Sequence, residues 1–454
     1  MTDRALTREL TLRAAVGLVV GQVIAVGIFL TPGTIIRTLA SPAWVLAVWA
    51  LLGGMALCGA LCYGALAARY PHAGGGYVYL REAYGPRVAF LYGWKCFLVM
   101  DPGITAALGV GFASYVSYIV PLGPGGLRAL GVSAIVAFAA VHMLGVRPGT
   151  RVMAAVVALK LGLVAALVAL AFTSPAGRWE HFLPFFERRP GAPALAAALA
   201  GALVAAFFSF GGWWEITKLA GEVRDPARTM PRALRLGLAG VTLVYVAITM
   251  AIIYVVPIED VGPGEAFVAQ VGAVLLGRWG GTAVAIVVVV SVLASLGAML
   301  MMAPRLYFAM ARDRVFPAAA AVLHPRFGTP VRAIGAQAIL ASVLVAIGSF
   351  ETIVAYFIFV SVAFIALTVA SVFILRRRDR SLAVPGYPWP AAIFLVMVAG
   401  LLVLLVLNNP VQAGLGVAIV ALGLPAYRVL GPRAGDHSSE NNPGVLPSVT
   451  EISS

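Results

Sequence analysis

Two ionisable side chains, Asp101 and Lys160, stand inside apolar stretches long enough to cross a bilayer. An ion at that depth is costly, and so marks a substrate or ion path, a proton relay or a paired tether. Lys160 lies nine residues from Arg151 and thirteen from Thr173. At about 1.5 Å of rise per residue it is about 14 Å from the nearer end of its helix, too far for its stem to carry the ammonium to water. It must find buried acceptors, and then it is either a fixed cation, a proton carrier or a structural tether between helices. Asp101 precedes Pro102, whose missing N–H frees a carbonyl and kinks the helix. Its carboxylate either selects a cationic group or relays protons, or it is satisfied by neighbouring helices around the kink.

The uncharged chemistry sits in two stretches that interrupt apolar spans, Val23-Ile24-Ala25-Val26-Gly27-Ile28-Phe29 and Phe208-Ser209-Phe210-Gly211-Gly212-Trp213. Unwound backbone at membrane depth is tolerated only where it lines a cavity or holds a ligand. Paired interruptions at corresponding places in two halves of a chain point to a transporter's substrate site. Close helix packing is the alternative use of Gly27, Gly211 and Gly212.

The composition requires a membrane around these elements. With 61% hydrophobic and 11% charged residues, a water-soluble chain of 454 residues would expose more apolar surface than it could hide. The net charge of +14 is a topology signal, not a nucleic-acid footprint. Most Lys and Arg fall at the amino terminus, in the even-to-odd loops and at the carboxyl terminus, with Arg37, Arg128, Arg178, Arg188, Arg189 and Arg278 on the other side. That bias puts both termini in the cytoplasm of a multi-pass protein of the cell (inner) membrane. No cleavable signal peptide precedes the first apolar stretch. Cys58, Cys62 and Cys96 fall within spans or at their cytoplasmic ends, and the five histidines have no metal-ligand spacing, so neither a disulfide, a metal nor a cofactor is expected.

The resulting expectation is an all-α integral membrane fold of twelve transmembrane helices. Segments 1 to 12 are placed at 12–38, 42–68, 86–118, 127–145, 151–173, 194–222, 226–256, 280–311, 331–348, 351–375, 389–407 and 411–430. Segments 1 and 6 stand five helices apart, an odd number, so 12–173 and 194–375 must cross in opposite senses as a 5+5 inverted repeat, with helices 11 and 12 (389–430) outside it. Residues 1–435 form a single transmembrane domain and 436–454 a disordered cytoplasmic tail.

Six blocks carry a family resemblance: G-I-F with Pro32-Gly33 in segment 1, G-G-G-Y-V-Y-L-R-E-A-Y-G (74–85), F-S-F-G-G-W (208–213), E-V-R-D-P-A-R-T-M-P-R-A (222–233), P-R-L-Y-F-A-M-A-R-D (304–313) and P-G-Y-P (385–388). Together, over roughly residues 10 to 430, they resemble the L-type amino acid transporters of the amino acid–polyamine–organocation superfamily.

The resemblance implies a site in which backbone groups grip a zwitterion. The carboxylate would meet the amides of Ala25, Val26 and Gly27, and the ammonium the carbonyls of Val23, Phe208 and Gly211. Phe208 and Phe210 would close over the substrate, with Val99 and Met100 facing its side chain. Ordinary packing explains Phe210 equally well. Lys160 would lie against the break in segment 1 and against Ser291 and Ser295, where sodium-dependent relatives hold an ion, with Asp101 as a second coupling group. Ala25-Val26 replaces the Gly-Ser or Gly-Ala pair usual in the family, which shrinks the pocket.

The implied function is sodium-independent transport of small or neutral L-amino acids, by exchange or proton coupling through alternating access. A proton-coupled or cationic permease is the runner-up. An enzyme would need a nucleophile with a base, or a metal cluster, and a channel would show a pore loop or charged ring. Family members in animals pair with a glycoprotein through an outer-loop cysteine, which this chain lacks. The expected partners are therefore an amino acid and the bilayer, with no nucleic acid and no disulfide-linked heavy subunit. Glu222, Arg224 and Asp225 either form an inner gate with Arg81 or Glu82, or are solvated loop charges.

Overall fold

Apolar runs become helices in a bilayer because every backbone N–H and C=O must then be paired within its own segment. The structure is a computed structural model that describes residues 8, 10–72, 74–144, 150–262, 266–325, 327 and 329–430. Among them helices dominate, and the sole β pairing is a bridge between Leu10 and Val223. The expected tail, 436–454, lies outside these residues.

Among the described residues nine helices are long and apolar enough to span, or ten when Leu12–Val23 and Gly27–Leu39, bent by 46° at their junction, count as one. The other two expected spans are the shorter apolar helices Val157–Thr173 (segment 5) and Val331–Ile347 (segment 9). The stretch between segments 7 and 8, expected as a loop, contains a further apolar helix, Phe267–Gly277. Gly277 has a φ of +68°, a left-handed conformation that glycine adopts without a Cβ penalty, and it turns this helix into segment 8.

Segments 1 and 6 run in opposite directions. At one end Leu10 donates to the Glu222 carbonyl (3.0 Å) and accepts from the Arg224 amide (2.9 Å). At the other, the Arg189 amide donates to the Ala40 carbonyl (2.9 Å), and the Arg188 guanidinium caps Leu39 and Thr38 at 3.0 and 3.1 Å. These bonds satisfy carbonyls that the helix end leaves open. The connector after segment 2 forms a helix, Gly76–Tyr84, whose Tyr77 and Arg81 reach Asp313 at 2.7 and 2.9 Å. Glu222 pairs with Arg305 of segment 8 at 3.4 Å, so the charges considered for one inner gate form two separate ties.

Candidate functional site

In segment 1 the α-helix ends at Val23; the Ile24 amide still donates to the Val20 carbonyl at 2.9 Å, and the Ala25 amide turns back on the Val23 carbonyl at 2.8 Å. Helix resumes at Gly27, leaving the amides of Val26 and Gly27 without a hydrogen-bond partner among the described residues. These are first-turn donors at the positive end of the half-helix Gly27–Leu39, a place suited to an anion.

Segment 6 is α-helical from Leu195 to Ser209, turns through Gly212 at φ +96°, and continues as a ten-residue 3₁₀ helix, Trp213–Glu222. The Gly211 amide folds back onto the Phe208 carbonyl at 2.9 Å, while the Gly211 carbonyl has no partner among the described residues. The two interruptions touch. A Cβ on Gly27 would stand 2.6 Å from the Ser209 Cα, so only glycine fits there. Thr31 and Ser209 share a hydroxyl hydrogen bond of 2.7 Å just beyond.

Tyr245 of segment 7, which the sequence reading missed, pins the junction. Its hydroxyl donates between the Val23 and Ser209 carbonyls, 2.7 Å from each, and so satisfies acceptors that both broken helices release. A single hydroxyl flanked by apolar residues gave no sequence signal. The Val23 carbonyl is therefore occupied twice, by Ala25 N and Tyr245 Oη, and is taken from the expected set of ammonium acceptors. The Ala25 amide is likewise engaged, which takes it from the expected carboxylate donors.

Lys160 is 2% exposed and donates to the Gly21 carbonyl at 3.0 Å and the Ile24 carbonyl at 2.9 Å. Both acceptors belong to the last turn of the first half-helix of segment 1, Leu12–Val23 with its C-cap Ile24. No carboxylate lies within 4.0 Å of it among the described residues. Ser295 donates to the Ser291 carbonyl at 3.1 Å, and neither serine is hydrogen-bonded to Lys160.

A cavity of about 60 Å³ opens beside the two breaks. Val23, Ala25, Val26, Gly27, Phe208 and Gly211, expected at the substrate, line it, and so does Ser295, expected beside Lys160. Val99, Met100 and Phe210 do not. Ile104 and Leu108 face the cavity instead, one and two helical turns beyond Met100 on the same side of segment 3. Five residues of π-helix, Cys96–Met100, precede Asp101, and Met100 turns its sulfur to the Lys95 ammonium at 2.9 Å. Phe210 is 2% exposed and packs on Trp49 and Tyr245, with ring centroids at 6.1 and 5.0 Å. Phe357 and Ile358 of segment 10 and Met299 of segment 8 add to a mostly apolar wall that also includes Gln22, Ser209, Glu215 and Ser361.

Asp101 is fully buried and accepts from the Tyr307 hydroxyl at 2.5 Å. It is not one of only two deep ions, as the sequence suggested. Lys95, Glu215 and Lys218 are also 0 to 1% exposed. Lys218 Nζ stands 2.6 Å from Glu215 Oε2 and 3.8 Å from Asp101 Oδ1. Among the described residues no three His, Cys, Asp or Glu side chains are grouped as a metal site.

Residues 10–424 match the amino acid permease family. The chain is 28% identical to the serine/threonine exchanger SteT of Bacillus subtilis (strain 168), over 94% of this chain and 97% of that protein. It is 30% identical to the human large neutral amino acids transporter small subunit 2, over 93% of this chain and 80% of the relative. With the human Asc-type amino acid transporter 1 the figures are 28%, 93% and 82%.

Proposed function

Because the chain belongs to the amino acid permease family, we propose that it is a sodium-independent secondary carrier of small neutral L-amino acids, working by exchange or proton coupling through alternating access. The observation that carries this reading is the pair of unpartnered amides, Val26 and Gly27, at the edge of a small cavity shared by two antiparallel broken spans. A zwitterion entering a dry site must have both charges met, or it forfeits several kcal/mol. The two amides and the half-helix behind them suit its carboxylate. The open Gly211 carbonyl suits its ammonium.

Lys160 supports sodium independence. Its ammonium already supplies a fixed positive charge to the Gly21 and Ile24 carbonyls, the kind of released oxygens that would otherwise coordinate a cation. The volume of about 60 Å³ and the mostly apolar wall favour short side chains over aromatic ones.

We read the whole as twelve spans in one domain, repeats 12–173 and 194–375 inverted and helices 11 and 12 outside them. The opposite directions of segments 1 and 6 support this. The Lys and Arg bias supports an inner-membrane protein with cytoplasmic termini. With all three cysteines in spans, a disulfide-linked heavy subunit is not expected. A cationic permease is less well supported, since Asp101 is already engaged by Tyr307 and Lys218.

The test is purified protein in proteoliposomes, screened for uptake of each of the twenty labelled amino acids with sodium or choline outside, with and without a pH gradient or internal amino acid. Uptake of alanine- or serine-sized substrates in choline supports the proposal. Uptake that needs sodium, or a preference for tryptophan, overturns it.

A further inference from the structure

Lys95, Asp101, Glu215 and Lys218 form a cluster of buried ions in which not every oxygen has a donor. Lys218 sits between Asp101 and Glu215, and Asp101 has a second partner in Tyr307. Lys95 lies 4.8 Å from the centre of the Tyr92 ring and 2.9 Å from Met100 Sδ. The charges of Lys95, Asp101, Glu215 and Lys218 sum to zero. Two carboxylate oxygens of the cluster, Asp101 Oδ1 and Glu215 Oε1, are buried without a hydrogen-bond partner among the described residues; the first has Lys218 Nζ at 3.8 Å, and the second sits on a side chain 1% exposed. Glu215 belongs to the cavity wall, next to Trp214, whose indole N–H is also buried there without a partner.

A buried acceptor without a donor is unfavourable until something supplies one. Two chemistries of side chain fit a carboxylate oxygen, an ammonium and a hydroxyl. A cation would add an uncompensated charge to a cluster whose ions already cancel, in a medium where that is costly. A hydroxyl donates one hydrogen bond, brings no charge and is small enough for the cavity. On the reading of this cavity as an amino acid site, we propose that Glu215 is a specificity-determining residue that accepts a hydrogen bond from the side chain of a short hydroxy amino acid, of the size of serine or threonine.

Alanine differs from serine by that hydroxyl alone, so the pair isolates the contact. A site built to bond a hydroxyl discriminates against the analogue that lacks it, because its own polar group is then stranded. Proteoliposomes carrying the full chain are loaded with labelled L-alanine from outside, in competition with unlabelled L-serine, L-alanine or L-2,4-diaminobutyrate. Serine is expected to half-inhibit at a concentration about tenfold lower than alanine, the size of a hydrogen bond to a charged acceptor. Diaminobutyrate is expected to do no better than alanine. In the double variant Glu215→Met, Lys218→Met, which removes the acceptor while keeping the cluster's charge at zero, the serine-to-alanine ratio is expected to fall to about one.

Equal inhibition by serine and alanine in the wild type overturns the inference, and needs no variant. So does diaminobutyrate as the best competitor, or an unchanged ratio in the double variant. Failure to take up any amino acid overturns the carrier reading itself, a result distinguishable from the other three.

Discussion

Gly27 and Ser209 meet so closely that one added methyl on the first would lie 2.6 Å from the backbone of the second. Two half-helices that should repel each other's unpaired backbone are brought into contact by the absence of a side chain, and the cavity is the space beside that contact. Gly27→Ala must push segments 1 and 6 apart. Overpacking of this kind costs about 1–3 kcal/mol. The expected outcome is a protein that inserts and folds, melts at a lower temperature, and has lost uptake. Fluorescence-detected melting and proteoliposome uptake would show it.

Tyr245 joins the same two elements through a single oxygen. Tyr245→Phe leaves the Val23 and Ser209 carbonyls short of a donor while keeping the ring that packs on Trp49 and Phe210. The expected cost is about 1–3 kcal/mol of stability, with a fall in uptake rate larger than any change in half-saturation. A melting curve and an uptake titration separate the two effects.

Lys160→Met preserves most of the stem's packing and removes the donor to Gly21 and Ile24. Two buried carbonyls are then unmet, each costing about 1–3 kcal/mol. Uptake is expected to disappear in both sodium and choline. Wild-type uptake that rose with sodium would show that Lys160 does not stand in for the ion.

Asp379, just past the end of segment 10, is bonded by Ser381 and then by Arg69 of segment 2, at 2.9 and 2.6 Å. These donors hold its carboxyl down to about 2, below the usual carboxylate range. A carboxyl lowered by folding contributes stability that is fully present above its unfolded value, about 4, and that is lost as pH falls through about 2. Melting followed between pH 5 and pH 2 should therefore show a loss in the wild type that is smaller in Asp379→Asn, whereas near pH 7 the variant should already be the less stable of the two.

The parts of the site that were legible in the sequence share one property: they contradict their surroundings. Gly27 and Gly211-Gly212 interrupt apolar spans, and Lys160 puts a charge where lipid or protein must enclose it. Glu215 and Lys218 are spaced i, i+3 near the end of a span, where charged residues ordinarily face water, so nothing in the pattern revealed that segments 2, 3 and 8 cover them. Segment 3 was read one turn out of register, because neither its π-turn at Cys96–Met100 nor the depth of the neighbouring breaks is encoded in hydropathy. Phe210 looked like a lid since it neighbours Phe208, yet the turn at Gly211-Gly212 sends it to the opposite side, onto Trp49. Tyr245 acts through a contact 222 residues distant from Val23, a relationship no local reading supplies.

The bridge that ties Leu10 to both sides of Val223 makes the entry to the first span and the exit from the sixth a single mechanical unit. Neither end can swing away without dragging the other or breaking two backbone hydrogen bonds. Spin labels placed at these two positions would keep a constant separation through turnover if they move as one flap, and would broaden their distance distribution if the latch is what releases cargo inward.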